Sequence, residues 1–215
     1  MIDLNIEKKD LLLYAVTDRD CLHGISLEVA VEQAILGGVT CVQLREKNVT
    51  EDELIEKGKV LLAVCRKYGV PLIINDDYEV ALKIGADGVH VGIEDAPVQE
   101  IRRIAGEDFI IGATAKTVEQ AILAEKSGAD YLGVGAVFPS PTKKNAVRIT
   151  PQLLSQICSS VRIPAVAIGG ITSDNMHNID HCGHVGVAVV SSLFATDYIR
   201  TAAEQLKKAV EQTMK

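Results

Sequence analysis

The chain has 215 residues and a formal charge of −7, from 22 Lys and Arg against 29 Asp and Glu. Apolar residues make up 47% and charged residues 24%, a packed-domain composition that excludes a disordered chain, while the length excludes a small disulfide scaffold. An aromatic content of 4%, the lack of Trp and the acidic balance exclude a base-stacking platform and a phosphate-tracking nucleic-acid surface. The length fits one large domain, which buries roughly 70% of its unfolded surface and needs no staples. The cysteines are Cys21, Cys41, Cys65, Cys158 and Cys182. Their number is odd and no two stand at C-x-x-C spacing, so the expectation is reduced thiols and a cytoplasmic protein without a zinc site. The start of the chain, Met1 to Asn5, carries early polar residues and no apolar core of a signal peptide. No apolar run approaches the roughly 18 residues of a membrane span.

Eight short runs rich in Val, Ile and Leu follow one another: Leu11 to Val16, Val39 to Leu44, Val70 to Ile74, Gly88 to Val91, Phe109 to Gly112, Tyr131 to Val137, Pro164 to Ile168 and Val185 to Val190. They are too short for helices and too continuously apolar for half-exposed strands. Parallel strands buried on both faces read this way. Helical patterns lie between them. Thr50 to Glu53 is a capping box, and the stretch after it puts Leu54, Leu61, Cys65 and Tyr68 on one face before Gly69 and Pro71 stop it. Thr117 to Lys126 repeats the logic and ends at Gly128, and Thr150-Pro151 reads as an N-cap followed by a first-turn proline. The glycines at Gly37-Gly38, Gly85, Gly128 and Gly183 each lead into a new strand, a weak internal repeat. Strand and helix alternate to the end, which predicts an α/β fold, and eight units predict a single-domain (β/α)8 TIM barrel after an N-terminal extension over 1–10. An open doubly wound sheet competes, but no Gly-x-Gly-x-x-Gly follows the first strand.

In such barrels the site lies where the strands end. The second strand ends Gln43-Leu44-Arg45-Glu46-Lys47, and period two puts Gln43, Arg45 and Lys47 on one face. Arg supplies a planar fork for phosphate and Lys a point charge. The third and fourth strands end at Asn75-Asp76-Asp77 and His90 to Asp95, so neighbouring ends both carry carboxylates. Such a pair suits Mg²⁺, which takes one or two carboxylates plus substrate and water oxygens. The plainer reading is that Asp77 and Asp95 cap helices. Thr114 follows the fifth strand with a free hydroxyl. Ser140-Pro141-Thr142-Lys143 follows the sixth as a compact anion-binding loop, or else as an ordinary Pro-rich turn. Gly169-Gly170 and Val190-Ser191-Ser192 end the last two strands, where this fold often holds phosphate. His90 reads as a satisfied barrel residue, and no Ser-His-Asp or Cys-His grouping is defensible.

Taken together these stretches resemble the thiamine-phosphate synthase (thiamine-phosphate pyrophosphorylase) family over nearly the whole chain. The matching segments include Tyr14 to Asp18, Val42 to Lys47, Ile74 to Asp76, Gly88 to Gly92, Glu94-Asp95, Gly133 to Gly135, Phe138 to Lys143, Ala167 to Ile171 and Gly186 to Ser191. The resemblance implies Mg²⁺-dependent joining of 4-amino-2-methyl-5-hydroxymethylpyrimidine diphosphate to 4-methyl-5-(2-phosphoethyl)thiazole, with diphosphate released through a pyrimidine carbocation. It implies that Gln43, Leu44, Arg45, Glu46, Lys47, Asn75, Thr114 and Lys143 bind the pyrimidine diphosphate. Arg45, Lys47 and Lys143 would neutralise the leaving group. Ser140, Pro141, Thr142, Gly170, Val190 and Ser191 would bind the thiazole phosphate, and Asp76 and Asp95 would hold Mg²⁺. Partners are then phosphorylated small molecules, with neither nucleic acid nor membrane, and a homo-oligomer is left open.

The chain departs from the family pattern at Ile93, where Gln is frequent, and at Thr114-Ala115-Lys116-Thr117, where Ser-x-His-Thr is common. Ser140 replaces a usual Thr, and the residues after Lys143 lack the usual Gly or Pro. Two other readings compete. One is the thiazole tautomerase paralogue, which would place a His near Lys116 and lack the Asp pair or Lys143. The other is a phosphate-ligand binding barrel without turnover.

Overall fold

The computed structural model describes residues 6–139 and 147–214. Eight parallel strands close into a barrel in chain order: β1 (Leu13–Val16), β2 (Cys41–Leu44), β3 (Leu72–Asn75), β4 (Gly88–Val91), β5 (Ile110–Ala115), β6 (Tyr131–Gly135), β7 (Ala165–Ile168) and β8 (Gly186–Val189). β8 closes the ring on β1, with Leu13 opposite Val187 and Ala15 opposite Val189. Each strand falls on one of the eight apolar runs. The fifth alone extends well past its run, continuing to Ala115 instead of stopping at Gly112.

The helices are α1 (Leu27–Leu36), α2 (Glu51–Tyr68), α3 (Tyr78–Ile84), α4 (Val98–Ala105), α5 (Val118–Lys126), α6 (Pro151–Ser160), α7 (Ser191–Phe194) and α8 (Ile199–Thr213). The predicted punctuation sits where local chemistry puts it. The Thr50 hydroxyl accepts from the Glu53 N–H while the Glu53 carboxylate accepts from the Thr50 N–H, and Gly69 ends α2 in the left-handed conformation. The Thr117 and Thr150 hydroxyls cap α5 and α6 by accepting from the Gln120 and Leu153 N–H groups, with Pro151 in the first turn of α6.

The seventh unit differs from the regular alternation. Between β7 and β8 the chain makes only a single 3-10 turn, Met176–Ile179. The segment is crowded with residues whose side chains bond their own backbone. Asn175 Oδ1 accepts from the Thr172 N–H, Asn175 Nδ2 donates to the Gly170 carbonyl, and Asn178 Nδ2 donates to the Asn175 carbonyl. Those local bonds compete with a helical ladder along the connection.

Strand alternation divides the core into two layers. Leu13, Ala15, Val42, Leu44, Leu72 and Ile74 point outward against the helices. Tyr14, Val16, Cys41, Ile73, Ile110, Tyr131 and Val166 fill the barrel, and Leu11, from a 3-10 turn over Lys8–Leu11, packs with them. The inner layer turns polar only toward the strand C-termini, and there the barrel opens.

Candidate active site

A cavity of about 710 Å³ occupies the C-terminal mouth of the barrel. Its floor is a chain of hydrogen bonds between inward-facing residues of five strands. Gln43 Nε2 donates to the Tyr14 hydroxyl at 2.8 Å. The Tyr14 and Tyr131 hydroxyls are 2.7 Å apart, Tyr131 Oη and His90 Nδ1 are 3.1 Å apart, and His90 Nε2 and Thr114 Oγ1 are 3.1 Å apart. Burial raises both tyrosines well above the ordinary phenol value and pushes His90 down to about 4, so all three are neutral. With the Gln43 amide as first donor, one arrangement leaves every proton with an acceptor: Tyr14 donates to Tyr131, Tyr131 to Nδ1 of His90, and Nε2–H of His90 to Thr114. Thr114 therefore accepts from below and has its own hydroxyl proton to donate to a ligand.

His90 fits because its neighbours are small. A Cβ on Gly133 of β6 would lie 2.8 Å from the His90 ring. The imidazole is thus the satisfied barrel residue expected of it. Neither tyrosine stood out in the sequence as a site residue, although Tyr14 shares the inward face of β1 with Val16. Their pairing depends on strands far apart in the chain.

Above the floor, Arg45, Lys47 and Lys116 bring positive charge to the cavity and Asp76, Glu94 and Asp95 bring negative charge. Arg45 follows β2, where its N–H donates to Thr17 Oγ1 at 2.9 Å and its guanidinium lies 3.8 Å from Asp18. Asn75 ends β3 inside the cavity, and Asp76 follows it with φ +65°, a conformation that non-glycine residues rarely adopt. The Asp76 N–H bonds the His90 carbonyl at 2.8 Å, which holds that conformation. Asp95 does not cap α4, whose N-cap is Pro97; its Oδ2 accepts from the Gly92 N–H at 2.7 Å. Asp77 is a helix cap, accepting from the Val80 N–H.

Burial, and then the neighbouring Asp95 carboxyl, raise Asp76 to about 6. Two carboxyls facing each other in a half-buried setting are stabilised by a divalent cation. No group of three or more His, Cys, Asp or Glu side chains among the described residues forms a metal cage. Two carboxylates beside an open cavity fit Mg²⁺, which completes its shell with water and phosphate oxygens.

On the opposite wall Gly170 has φ +63°, and a side chain there would run into the carbonyls of Phe138 and Pro139. Val190 precedes the short turn α7, whose first residues Ser191 and Ser192 line the cavity. The N–H groups opening that turn have no partner within it and are suited to an anion. The Ser192 hydroxyl, at the strand end read from the sequence as a phosphate position, is buried without a partner among the described residues. Ile93, Lys116 and Gln120 also line the cavity, so two of the positions that depart from the family pattern, Ile93 and Lys116, face the ligand space.

Of the predicted ligand-binding residues, Gln43, Arg45, Lys47, Asn75, Asp76, Asp95, Thr114, Gly170, Val190 and Ser191 meet at this cavity. Leu44 and Glu46 do not line it. Leu44 is buried among the helix-facing residues, and the Glu46 carboxylate points outward to Lys57 and Arg19. Ser140, Pro141, Thr142 and Lys143 lie outside the described residues.

A closed parallel barrel with paired carboxyls, cations and an anion-accepting turn at the C-terminal mouth defines a TIM-barrel protein built for phosphorylated ligands. The chain matches the family model described as thiamine monophosphate synthase over residues 13–193, and it belongs to that family. It is 46% identical over 197 residues to a thiamine-phosphate synthase of Clostridium tetani, covering 92% of this chain and 94% of that one. A thiamine-phosphate synthase of Ruminiclostridium cellulolyticum is also 46% identical, with coverage of 93% and 95%. Among solved structures, a thiamine phosphate pyrophosphorylase from Pyrococcus furiosus superposes with a TM-score of 0.89 at 40% identity, covering 97% of this chain and 99% of that one. A 3-hexulose-6-phosphate synthase, at TM-score 0.67 and 16% identity, shares the fold.

Proposed function

We propose that the cavity joins 4-amino-2-methyl-5-hydroxymethylpyrimidine diphosphate to 4-methyl-5-(2-phosphoethyl)thiazole, giving thiamine phosphate and diphosphate. Family membership makes the chain a transferase that condenses a pyrimidine and a thiazole moiety with release of diphosphate. The observation that carries the finer reading is the meeting, in one cavity, of two cations following β2 and two carboxyls from the ends of β3 and β4.

The chemical demand is to break a C–O bond to diphosphate. Charge accumulates on the leaving oxygens, and preorganised cations stabilise it more in the transition state than in the ground state. Arg45 and Lys47 supply such charge, and Lys143 joins them in this reading. Asp76 and Asp95 would hold Mg²⁺, which as a Lewis acid neutralises the departing diphosphate. Gln43, Asn75 and Thr114 offer neutral donors and acceptors that orient the pyrimidine and its diphosphate. Loss of diphosphate leaves a carbocation stabilised by the aminopyrimidine ring, and the neutral thiazole nitrogen attacks it. No protein nucleophile or strong base is required, in keeping with His90, which is neutral and fully engaged in the floor. Gly170, Val190 and Ser191, with Ser140, Pro141 and Thr142, would seat the thiazole phosphate on the opposite wall. A cytoplasmic location belongs to the same proposal, supported by five cysteines that are all free thiols.

The test is to incubate the protein with both substrates and Mg²⁺ and to measure thiamine phosphate and diphosphate together. Equal appearance of the two is expected. Isomerised thiazole without diphosphate would identify a tautomerase. Tight thiazole-phosphate binding without product would identify a binding barrel.

A further inference from the structure

Glu46 sits between the cavity-lining residues Arg45 and Lys47, yet it faces away from them. Its side chain is 1% exposed. Burying a carboxylate is costly unless it is paired, and pairing here is on one oxygen only. Oε2 is bound by Lys57 of α2 and lies 3.7 Å from Nε of Arg19, while Oε1 has no partner among the described residues. Leu44, one step back on the same face, shows that an apolar residue packs well there. A buried and half-satisfied charge at the neighbouring position therefore calls for a reason beyond packing.

Its partners supply one. Arg19 also donates through Nη2 to the Lys47 carbonyl at 3.2 Å. Thr17, from the same loop after β1, bonds the backbone of Arg45 through both its donor and its acceptor. The segment just beyond β2 is thus held at three successive residues: the Arg45 backbone by Thr17, the outward Glu46 side chain by Lys57 and Arg19, and the Lys47 carbonyl by Arg19. Immediately after it, Asn48 has φ +57°, so the chain turns away sharply where the grip ends.

We propose that Glu46, together with Arg19 and Lys57, is a positioning group for the diphosphate site: the outward carboxylate anchors the segment so that Arg45 and Lys47 on its inner face are held ready for the pyrimidine diphosphate. This rests on the function proposed above. Period-two alternation makes it physically direct. A strand end anchored on one face cannot rotate, so the side chains of the other face are fixed in direction. Two long cationic side chains would otherwise lose binding and alignment to conformational freedom, and small misplacements at a reacting centre cost large factors in rate.

The experiment uses the Glu46→Gln and Arg19→Met variants and the double variant. Arg19 is 53% exposed, so its replacement leaves the core intact even if Glu46→Gln folds poorly. The expected result is a fall of about tenfold in kcat/KM for the pyrimidine diphosphate in each single variant, with KM for the thiazole phosphate unchanged. The double variant should lose little more than the worse single one, because the two residues act through one anchor. Calorimetric binding of inorganic diphosphate with Mg²⁺ should weaken in parallel, a readout independent of turnover. A Leu61→Ala variant, which loosens the neighbouring core of α2, should lower the melting temperature without this split between substrates. Equal losses for both substrates, or diphosphate binding equal to wild type in both single variants, would overturn the positioning role. Absence of thiamine phosphate from the wild-type reaction would instead overturn the function on which it rests.

Discussion

Asp76 and Asp95 reach one place from neighbouring strands, and neither caps a helix. Asp77, beside the first, caps α3, whereas Asp76 takes a left-handed backbone conformation that costs of order 1 kcal/mol or more for a non-glycine residue. Asp95 leaves the capping of α4 to Pro97 and bonds Gly92. Strain and repulsion persist where a ligand compensates them, as a divalent cation would in the proposed reaction. Asp95→Ala should lower the coupling rate by about 100-fold at limiting Mg²⁺ and raise the Mg²⁺ needed for half-maximal rate, with the melting temperature nearly unchanged. Activity that survives at the wild-type Mg²⁺ requirement would remove Asp95 from the metal site. The plain reading of these acids as helix caps was correct for Asp77 and incorrect for Asp95, because sequence shows an Asp before a helix without showing which N–H its carboxylate meets.

Elements with all their determinants nearby were the most legible. The Thr50–Glu53 box, the Leu54, Leu61, Cys65 and Tyr68 face and the Gly69 stop of α2 lie within one stretch of chain, and each is as expected, with Tyr68 only partly buried at the end of the face. Thr50→Ala should therefore cost about 1 kcal/mol of stability, seen as a lower urea midpoint, and leave the kinetic constants unchanged, since the cap lies outside the cavity lining. The segment between β7 and β8 shows where local reading runs short. Regular alternation predicted a full helix, but the side chains of Thr172, Asn175 and Asn178 bond the nearby backbone and leave one 3-10 turn. The β2 end stands between these cases. Period two separated Gln43, Arg45 and Lys47 from Leu44 and Glu46, but only the position of α2 and of the loop after β1 shows what the outer pair is for.

At the scale of the whole molecule, acid sensitivity is built into the burial of histidine. His184, just before β8, is buried with neither ring nitrogen partnered among the described residues, and burial pushes it down to about 4 from an ordinary 6.5. The unfolded chain takes up a proton there below about pH 6.5, and the native chain does so only near pH 4. The stabilisation that this burial confers is complete above 6.5 and is lost as pH falls across that window, by roughly 3 kcal/mol. His184→Leu should flatten the decline in urea stability between pH 6.5 and 4 without lowering stability at pH 7.5. A decline as steep as in wild type would place its origin elsewhere. The acidic net charge likewise acquires a location: cations gather at the mouth with Asp76 and Asp95, while Glu51, Glu56 and Glu204 are on helix exteriors paired with lysine or arginine. By itself the sequence determined the number and order of the strands, the caps and stops of the helices, and the strand ends that carry polar groups, because periodicity and capping act within a few residues. The tertiary structure alone decided the floor from Gln43 through Tyr14, Tyr131 and His90 to Thr114, the facing of Asp76 and Asp95, and the outward anchor of Glu46. Those contacts depend on barrel closure and interstrand register, which bring together residues as far apart in the chain as Tyr14 and Tyr131, 117 positions.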